Sequence, residues 1–167
     1  MIILGDVAIP NQLHVSRFVD ICNDYFNDTE NLIMNLEGLL TDNVSLESKK
    51  SVIFNHPSLV SELKSRYDKN VIFCLANNHT LDVPEAYQSS EELIKNNGFE
   101  LVGATKSTLY TNDEIFFMEK GVKVYLLNYC WDFLLYHQTN PTNGVKIEII
   151  EFDKLKKRII QIKSNEQ

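Results

Sequence analysis

Residues 71–76, with the sequence VIFCLA, form the clearest strand of the chain, and the polar stretch Asn77-Asn78-His79 follows it directly. The run is short, apolar and rich in β-branched and aromatic side chains, which is typical of a buried strand. Similar apolar runs alternate with segments of helical spacing and cover residues 2–8, 32–36 and 99–102. Strands that alternate with helices are typical of parallel β-α-β units. The sequence therefore predicts an α/β fold, with a layered mixed sheet flanked by helices.

Helices are predicted where apolar side chains recur every three to four residues. One such segment covers residues 14–26, a second begins after Pro57, a third covers 84–96 and stops near Gly98, and a fourth begins at Asp153. Shorter apolar runs predict further strands at residues 52–54, 114–119, 122–129 and 145–152. The strands 114–119 and 122–129 are predicted to form a hairpin. The polar segments 38–50 and 137–144 are predicted to be loops.

The composition limits the class of protein. The chain has 167 residues, enough for one domain with a substantial core, and 44% of them are hydrophobic. The formal net charge is −7, and this acidic balance excludes a general nucleic-acid or anionic-membrane binder. No apolar run is long enough to span a membrane, and the N-terminus lacks the basic segment of a signal peptide. A cytoplasmic location is therefore expected.

The three cysteines are Cys22, Cys74 and Cys130, an odd number at wide spacing and without a Cys-x-x-Cys pair. This spacing excludes a zinc ribbon and a disulfide scaffold. Cys22 and Cys74 lie within apolar runs, so they are predicted to be buried, reduced thiols.

Three of the apolar runs are followed by side chains of the kind that bind metals. Asp6 follows the first run, Glu37 follows the second, and His79 ends the polar stretch after the third. Because parallel strands present their carboxyl ends at one edge of a sheet, these groups are predicted to converge there with an amide oxygen from the neighbouring asparagines. Two carboxylates brought close repel each other unless a cation lies between them or one is protonated. Hard oxygen ligands with a nitrogen suit Mn²⁺, Fe²⁺, Zn²⁺ or Mg²⁺.

Each of these residues also has a structural interpretation. Asp6 can cap the turn after the first strand, and Glu37 can lie with Gly38 in an exposed turn. Asn77 and Asn78 are common turn formers, because asparagine tolerates left-handed backbone and bonds to its own turn. Residue type and position alone leave both interpretations open.

Asp82 and the histidines are weighed in the same way. The segment Asp82-Val83-Pro84-Glu85 has the pattern of a capping box, so a structural cap is favoured for Asp82. A functional role is favoured for His79, because it follows two asparagines at the end of a buried strand. His14 and His137 are predicted to be surface or otherwise satisfied histidines, and His56 to lie at the entry of the second helix.

Four short motifs occur in order along the chain: Gly5-Asp6-Val7, Asn35-Leu36-Glu37-Gly38, residues 76–82 (ANNHTLD) and Gly103-Ala104. In order and spacing they resemble the motifs of the bacterial capsule-synthesis protein CapA family, over roughly residues 2–130. That family is associated with poly-γ-glutamate capsule biosynthesis and belongs to the calcineurin-like metallophosphoesterase superfamily. The resemblance implies a metallophosphoesterase-like fold, of which this chain represents the N-terminal portion.

The resemblance also implies roles for individual residues. Asp6 matches the metal ligand of the first motif, Glu37 stands at the position of a bridging aspartate, and Asn78 matches an amide-oxygen ligand. His79 matches the histidine that contacts the substrate phosphate and protonates the leaving group. Three neighbours would orient these groups by hydrogen bonds, namely Asn35, Asn77 and Asp82. The implied cofactor is one divalent metal ion or a pair of them.

The chain departs from the superfamily pattern in two places. Ala8 stands where the superfamily usually has a histidine, two residues after Asp6, a difference that CapA-like proteins share. After residue 100 the one histidine is His137, whereas related chains carry further metal-binding histidines. Residues 1–167 are therefore expected to form a single domain without the C-terminal metal-ligand motifs, either as a piece of a longer protein or as a short version with an incomplete site.

Two functional hypotheses follow. In the first, the chain is a metal-dependent hydrolase whose substrate is a small molecule or polymer of phosphorylated or peptide-like chemistry. In the second, it is a non-catalytic, truncated or degenerate domain that keeps the fold with at most one weakly bound metal, acts as an accessory or assembly protein, and forms a homo-oligomer through an exposed sheet edge. Dinucleotide binding is disfavoured because no Gly-x-Gly-x-x-Gly motif follows the first strand.

Overall fold

A four-stranded parallel sheet forms the centre of the computed structural model, which describes residues 1–43, 52–67, 69–106, 114–131 and 143–165. Its strands lie in the order of the chain: β1 (Ile2–Val7), β2 (Asn31–Leu36), β3 (Asn70–Cys74) and β4 (Glu100–Val102). All three neighbouring pairs are parallel. The predicted α/β class is confirmed, and the arrangement is consistent with a metallophosphoesterase-like fold.

Three helices cover one face of this sheet: α1 (Gln12–Phe26), α2 (Ser58–Arg66) and α3 (Tyr87–Asn96). Their buried residues share one core cluster with every second residue of β2, Leu32, Met34 and Leu36. In α2 the apolar stripe that predicted the helix, Leu59, Val60 and Leu63, is fully buried. The helices therefore form because they bury one side against the sheet, as amphipathic helices do.

An antiparallel hairpin covers the opposite face. Its strands are β6 (Glu114–Glu119) and β7 (Val122–Leu127), as predicted, and they contribute Phe117 to a second core with Ile33 and Ile72. The turn residues Lys120 and Gly121 both have positive φ, 50° and 78°, as two-residue hairpin turns of the type I′ class require.

Polar bonds fasten the turn end of the hairpin to the amino edge of the parallel sheet. The Asn31 amide donates to the Met118 carbonyl at 2.7 Å. The Lys120 backbone N–H donates to the Glu30 carboxylate at 2.8 Å, and the N-terminal amine pairs with Glu119. These bonds fix the direction in which β7 leaves the turn.

The last part of the chain differs from the prediction. Residues 145–152 form a strand only at β8 (Lys146–Ile147), because its partner β5 (Ala104–Thr105) is equally short. Helix α4 (Phe152–Asn165) then begins one residue before Asp153, which lies in its first turn instead of preceding it. No residue of α4 is buried, and Arg158 ties the helix to Glu114 of the hairpin.

Three smaller predictions have mixed outcomes. The predicted strand 52–54 is wrong, since these three residues form no strand, and only the next residue, Asn55, makes an isolated bridge with Leu40. The predicted helix 84–96 is divided into a 3-10 turn, Pro84–Ala86, and α3, after which Gly98 has a positive φ of 77° and ends the helix as predicted. The predicted loops 38–50 and 137–144, together with His137, lie largely outside the described residues.

The cysteines are all free and buried, as predicted for Cys22 and Cys74. Burial raises the pKa of Cys22 to about 11 and that of Cys74 to about 12, so both remain protonated at neutral pH. Within the described part of the chain, no helix combines the length and the apolar character needed to cross a membrane.

Candidate functional site

The carboxyl edge of the parallel sheet gathers polar side chains from three strands. A β-bulge lies at Gly5, because Leu4 pairs with Met34 whereas Asp6 pairs with Asn35. Without the bulge, Asp6 would share the face of Leu4, which packs against the helices. A bulge re-aims the residues that follow it, and here it places Asp6 beside the amide of Asn35.

Asn35 connects all three strand ends. Its Nδ2 donates to Asp6 Oδ1 at 2.7 Å and to Glu37 Oε1 at 3.1 Å. Its Oδ1 accepts from Asn77 Nδ2 at 3.2 Å. One amide therefore holds two carboxylates near each other and joins them to the turn after β3.

Glu37 is the most unusual group of this edge. Its carboxylate is almost fully buried, and Oε2 has no hydrogen-bond partner among the described residues. The Nε2 of His79 lies 3.8 Å from that oxygen. Burial raises the pKa of Glu37; the His79 charge opposes this shift, and the carboxylate of Asp6 adds to it. A buried acceptor without a donor is costly, and such exceptions call for an explanation.

Asn77 shapes the turn that carries the neighbouring residues. Its Oδ1 accepts from the backbone N–H groups of His79 and Thr80, each at 3.0 Å, which is the bonding of an Asx turn. Its Nδ2 also donates to the Leu36 carbonyl at 2.9 Å. Asn77 is thus a turn former and at the same time a link between β2 and β3. Asn78 lies half-buried in the same turn.

His79 is held by Asp82. Nδ1 lies 2.8 Å from Asp82 Oδ2, and because a carboxylate only accepts, Nδ1 carries the proton of this bond. The same oxygen accepts from the Ile53 backbone N–H at 2.8 Å. The capping interpretation of Asp82 is wrong, since the 3-10 turn has Val83 at its N-cap without a side-chain bond. The Asp82 carboxylate is engaged by the imidazole and by a distant loop instead.

The other histidines lie apart from this cluster. His56 Nδ1 accepts from the Ser58 backbone N–H at 3.2 Å, so its predicted place at the entry of α2 is confirmed. His14 is exposed on α1, as expected for a surface histidine. Among the described residues, neither imidazole forms a hydrogen bond to the edge residues, which leaves His79 as the histidine of the cluster.

Two asparagines of the edge were missed by reasoning from the sequence. Asn55 is fully buried; it accepts from the Ile9 N–H at 2.8 Å and donates to the Glu37 carbonyl at 2.8 Å. Asn128 accepts from the Ala76 backbone N–H at 2.9 Å. The available signals were an asparagine before His56 and a polar interruption of the apolar run after residue 124.

The chemistry of the cluster can be tested against a divalent cation. The free Oε2 of Glu37 and the carboxylate of Asp6 are hard oxygen donors, and His79 adds a nitrogen, a combination that suits first-row divalent metals. In the part of the chain that the structure describes, no three His, Cys, Asp or Glu side chains are grouped so that they could hold a metal ion. The buried, unpartnered Oε2 of Glu37 suits a cation, but the described carboxylates and imidazole do not enclose one, so a cation here would also need an amide oxygen such as that of Asn78.

A family model described as bacterial capsule synthesis protein PGA_cap matches residues 4–164, from the middle of β1 to the end of α4. A search of curated proteins found no significant match.

Proposed function

Because the chain belongs to the bacterial capsule synthesis protein family, we propose that it is a metal-dependent hydrolase of the phosphoesterase type. Membership over nearly the whole chain associates it with capsule synthesis. The proposal adds a chemical activity on a small molecule or polymer, of phosphorylated or peptide-like chemistry, in the synthesis of a surface polymer such as poly-γ-glutamate. It also adds a divalent metal, Mn²⁺, Fe²⁺, Zn²⁺ or Mg²⁺, as the cofactor.

The unpartnered Oε2 of Glu37 carries this proposal. Among the described residues this oxygen is buried without a hydrogen-bond partner, and it lies beside two further carboxylates, those of Asp6 and Asp82. Leaving such a group unsatisfied costs about 1–3 kcal/mol. A cation bound at the edge would supply the missing partner and offset the repulsion between the carboxylates.

The proposed roles divide between holding the metal and moving a proton. Asp6, Glu37 and Asn78 would hold the ion, which when bound polarises the electrophile and lowers the pKa of a bound water. His79 would donate a proton from Nε2 to the leaving group, since its Nδ1 is engaged by Asp82. The amides of Asn35 and Asn77 would hold the carboxylates and the turn in position by hydrogen bonds.

A second candidate is a non-catalytic accessory protein of the same family. It is favoured by the lack of any group of three His, Cys, Asp or Glu ligands among the described residues. In that case the chain binds no metal tightly and hydrolyses no phosphoester, and its role in capsule synthesis depends on its surface. Metal stoichiometry separates the two candidates.

Purified chain that has been incubated with Mn²⁺ is expected to retain about one or two equivalents by elemental analysis. Asp6→Ala should lose this metal, because the substitution removes a carboxylate of the cluster. Asp24→Ala removes an exposed carboxylate of α1 and serves as the matched control. Wild-type chain that retains no metal would instead favour the accessory protein.

His79→Ala is expected to lower the hydrolysis of bis-p-nitrophenyl phosphate by about 10²–10⁴-fold, as removal of a general acid does. The substitution should leave most of the bound Mn²⁺ in place. His14→Ala, which removes an exposed imidazole, is the control. Equal activity of the His79 and His14 variants would show that the assigned proton donor is wrong.

A further inference from the structure

The end of β7 reaches the same edge from the opposite face of the sheet. The hairpin is fastened at its turn by Asn31 and Glu30, and β7 runs from that anchor toward the carboxyl ends of the parallel strands. There the Asn128 side chain meets the Ala76 backbone. Cys130 follows two residues later. Burial is the main cause that raises the pKa of its thiol, and the nearby carboxylate of Glu37 adds to this shift.

The Asn128 side chain provides a hydrogen-bond acceptor for the Ala76 N–H, which has no partner in the sheet. β3 ends at Cys74, and the Leu75 N–H is the next donor, bonded to the Val102 carbonyl at 2.7 Å. β4 ends at that same Val102, so Ala76 has passed the end of its neighbour. The Oδ1 of Asn128 accepts from the Ala76 N–H at 2.9 Å and takes the place of the strand partner.

Gly103 makes this contact possible. A Cβ at position 103 would lie 2.0 Å from Asn128 Oδ1 and 2.6 Å from the Ala76 nitrogen, distances that real Cβ atoms do not show. The φ of Gly103 is +101°, a conformation that favours glycine. The ends of β3, β4 and β7 therefore meet at a point where there is room for the Asn128 amide and for no further side chain.

From this geometry we propose that Asn128 is a positioning residue for the turn that carries Asn77, Asn78 and His79. It fixes the backbone one residue before Asn77, whose Oδ1 in turn receives the His79 N–H. In the described part of the chain, the Asn128 side chain bonds to the Ala76 backbone and not to the carboxylates or the imidazole, so it acts through the backbone of the turn. Its effect on chemistry rests on the function proposed above, whereas its effect on the turn does not.

Nuclear magnetic resonance of the full, metal-free chain tests the positioning directly. In the wild type, the Ala76 amide is expected to exchange slowly with solvent although it lies beyond the strand. In Asn128→Leu it should exchange at least about 10-fold faster, and the ring nitrogen signals of His79 should shift. Asn128→Asp keeps an acceptor oxygen of the same reach and should restore both readouts. Asn97→Leu, which removes a helix-end bond to the Leu93 carbonyl, is the control.

Two results would overturn the proposal. One is an unprotected Ala76 amide in the wild type, a reading that does not require any variant to fold. The other is an unchanged His79 spectrum in Asn128→Leu despite fast exchange at Ala76. In the same samples, Mn²⁺ affinity should fall about 10–100-fold in Asn128→Leu. If the wild type binds no Mn²⁺ while the NMR changes occur, the metal proposal fails and the positioning role of Asn128 stands.

Discussion

Replacing Glu37 with glutamine is expected to weaken Mn²⁺ binding at least about 100-fold, since changes in groups that merely support a ligand already cost 10–100-fold. The same substitution should stabilise the metal-free chain by about 1 kcal/mol, because it removes a buried charge whose Oε2 has no partner. Glutamine keeps an oxygen that can accept from Asn35. Isothermal titration with Mn²⁺ and urea unfolding of the same samples measure the two effects.

The stabilising effect should depend on pH with a definite sign. Burial raises the pKa of Glu37 in the folded chain above its ordinary value. The wild-type chain therefore has its full stability below the ordinary glutamate pKa, where Glu37 is protonated. Its stability falls as the pH rises through the raised folded-state pKa of Glu37. The advantage of Glu37→Gln should be absent in acid and complete above that window.

Glu119→Gln is the matched control, because its carboxylate has the opposite surroundings. The N-terminal amine, then Asn31, hold the pKa of Glu119 below its ordinary value. Glu119→Gln should therefore reduce stability at neutral pH and leave Mn²⁺ binding unchanged. A Glu37→Gln chain that binds Mn²⁺ as well as the wild type would remove Glu37 from the ligand set.

Gly103→Ala is expected to give the largest loss of stability, about 3–5 kcal/mol, from overpacking together with an unfavourable backbone conformation. The added methyl group would meet the Asn128 oxygen and the Ala76 nitrogen at 2.0 and 2.6 Å. For a chain of this length, such a loss lowers the melting temperature by roughly 10 °C. Thermal unfolding followed by circular dichroism measures it.

Gly121→Ala separates the two causes. Gly121 also has a positive φ, +78°, but a Cβ there would meet no atom within 4 Å, so only about 1 kcal/mol of backbone strain is expected. The double variant Gly103→Ala/Asn128→Ala removes the nearest of the three clashing atoms and should be less unstable than the sum of its parts. Equal losses at Gly103 and Gly121 would contradict the close approach at Gly103.

Local sequence patterns predicted much of the fold because they reflect local physics. The helical spacing of Leu59, Val60 and Leu63 and the apolar run 71–76 report which sides of an element are buried. The order of strands and helices then implied parallel pairing. It also implied that Asp6, Glu37 and the stretch after β3 would meet at one edge, and the structure brings these groups together there.

The missed features depend on contacts between distant parts of the chain. The bulge at Gly5 is visible only from the register with β2. Asp82 matched a local capping pattern, yet its partners are an imidazole three residues earlier and a backbone N–H 29 residues earlier. The predicted strand 145–152 is too long. The length of the real strand is limited by its partner β5, which the local sequence does not reveal.

A nascent chain can build this sheet from its first strand outward, because each strand pairs with the one synthesised immediately before it. Asp6, Glu37 and His79 can therefore meet soon after β3 has left the ribosome. The Ala76 N–H, however, has to await Asn128, which is synthesised 52 residues later. We expect the carboxylate cluster to form early during translation and the turn of His79 to become fixed only when the hairpin that contains β7 packs against the parallel sheet.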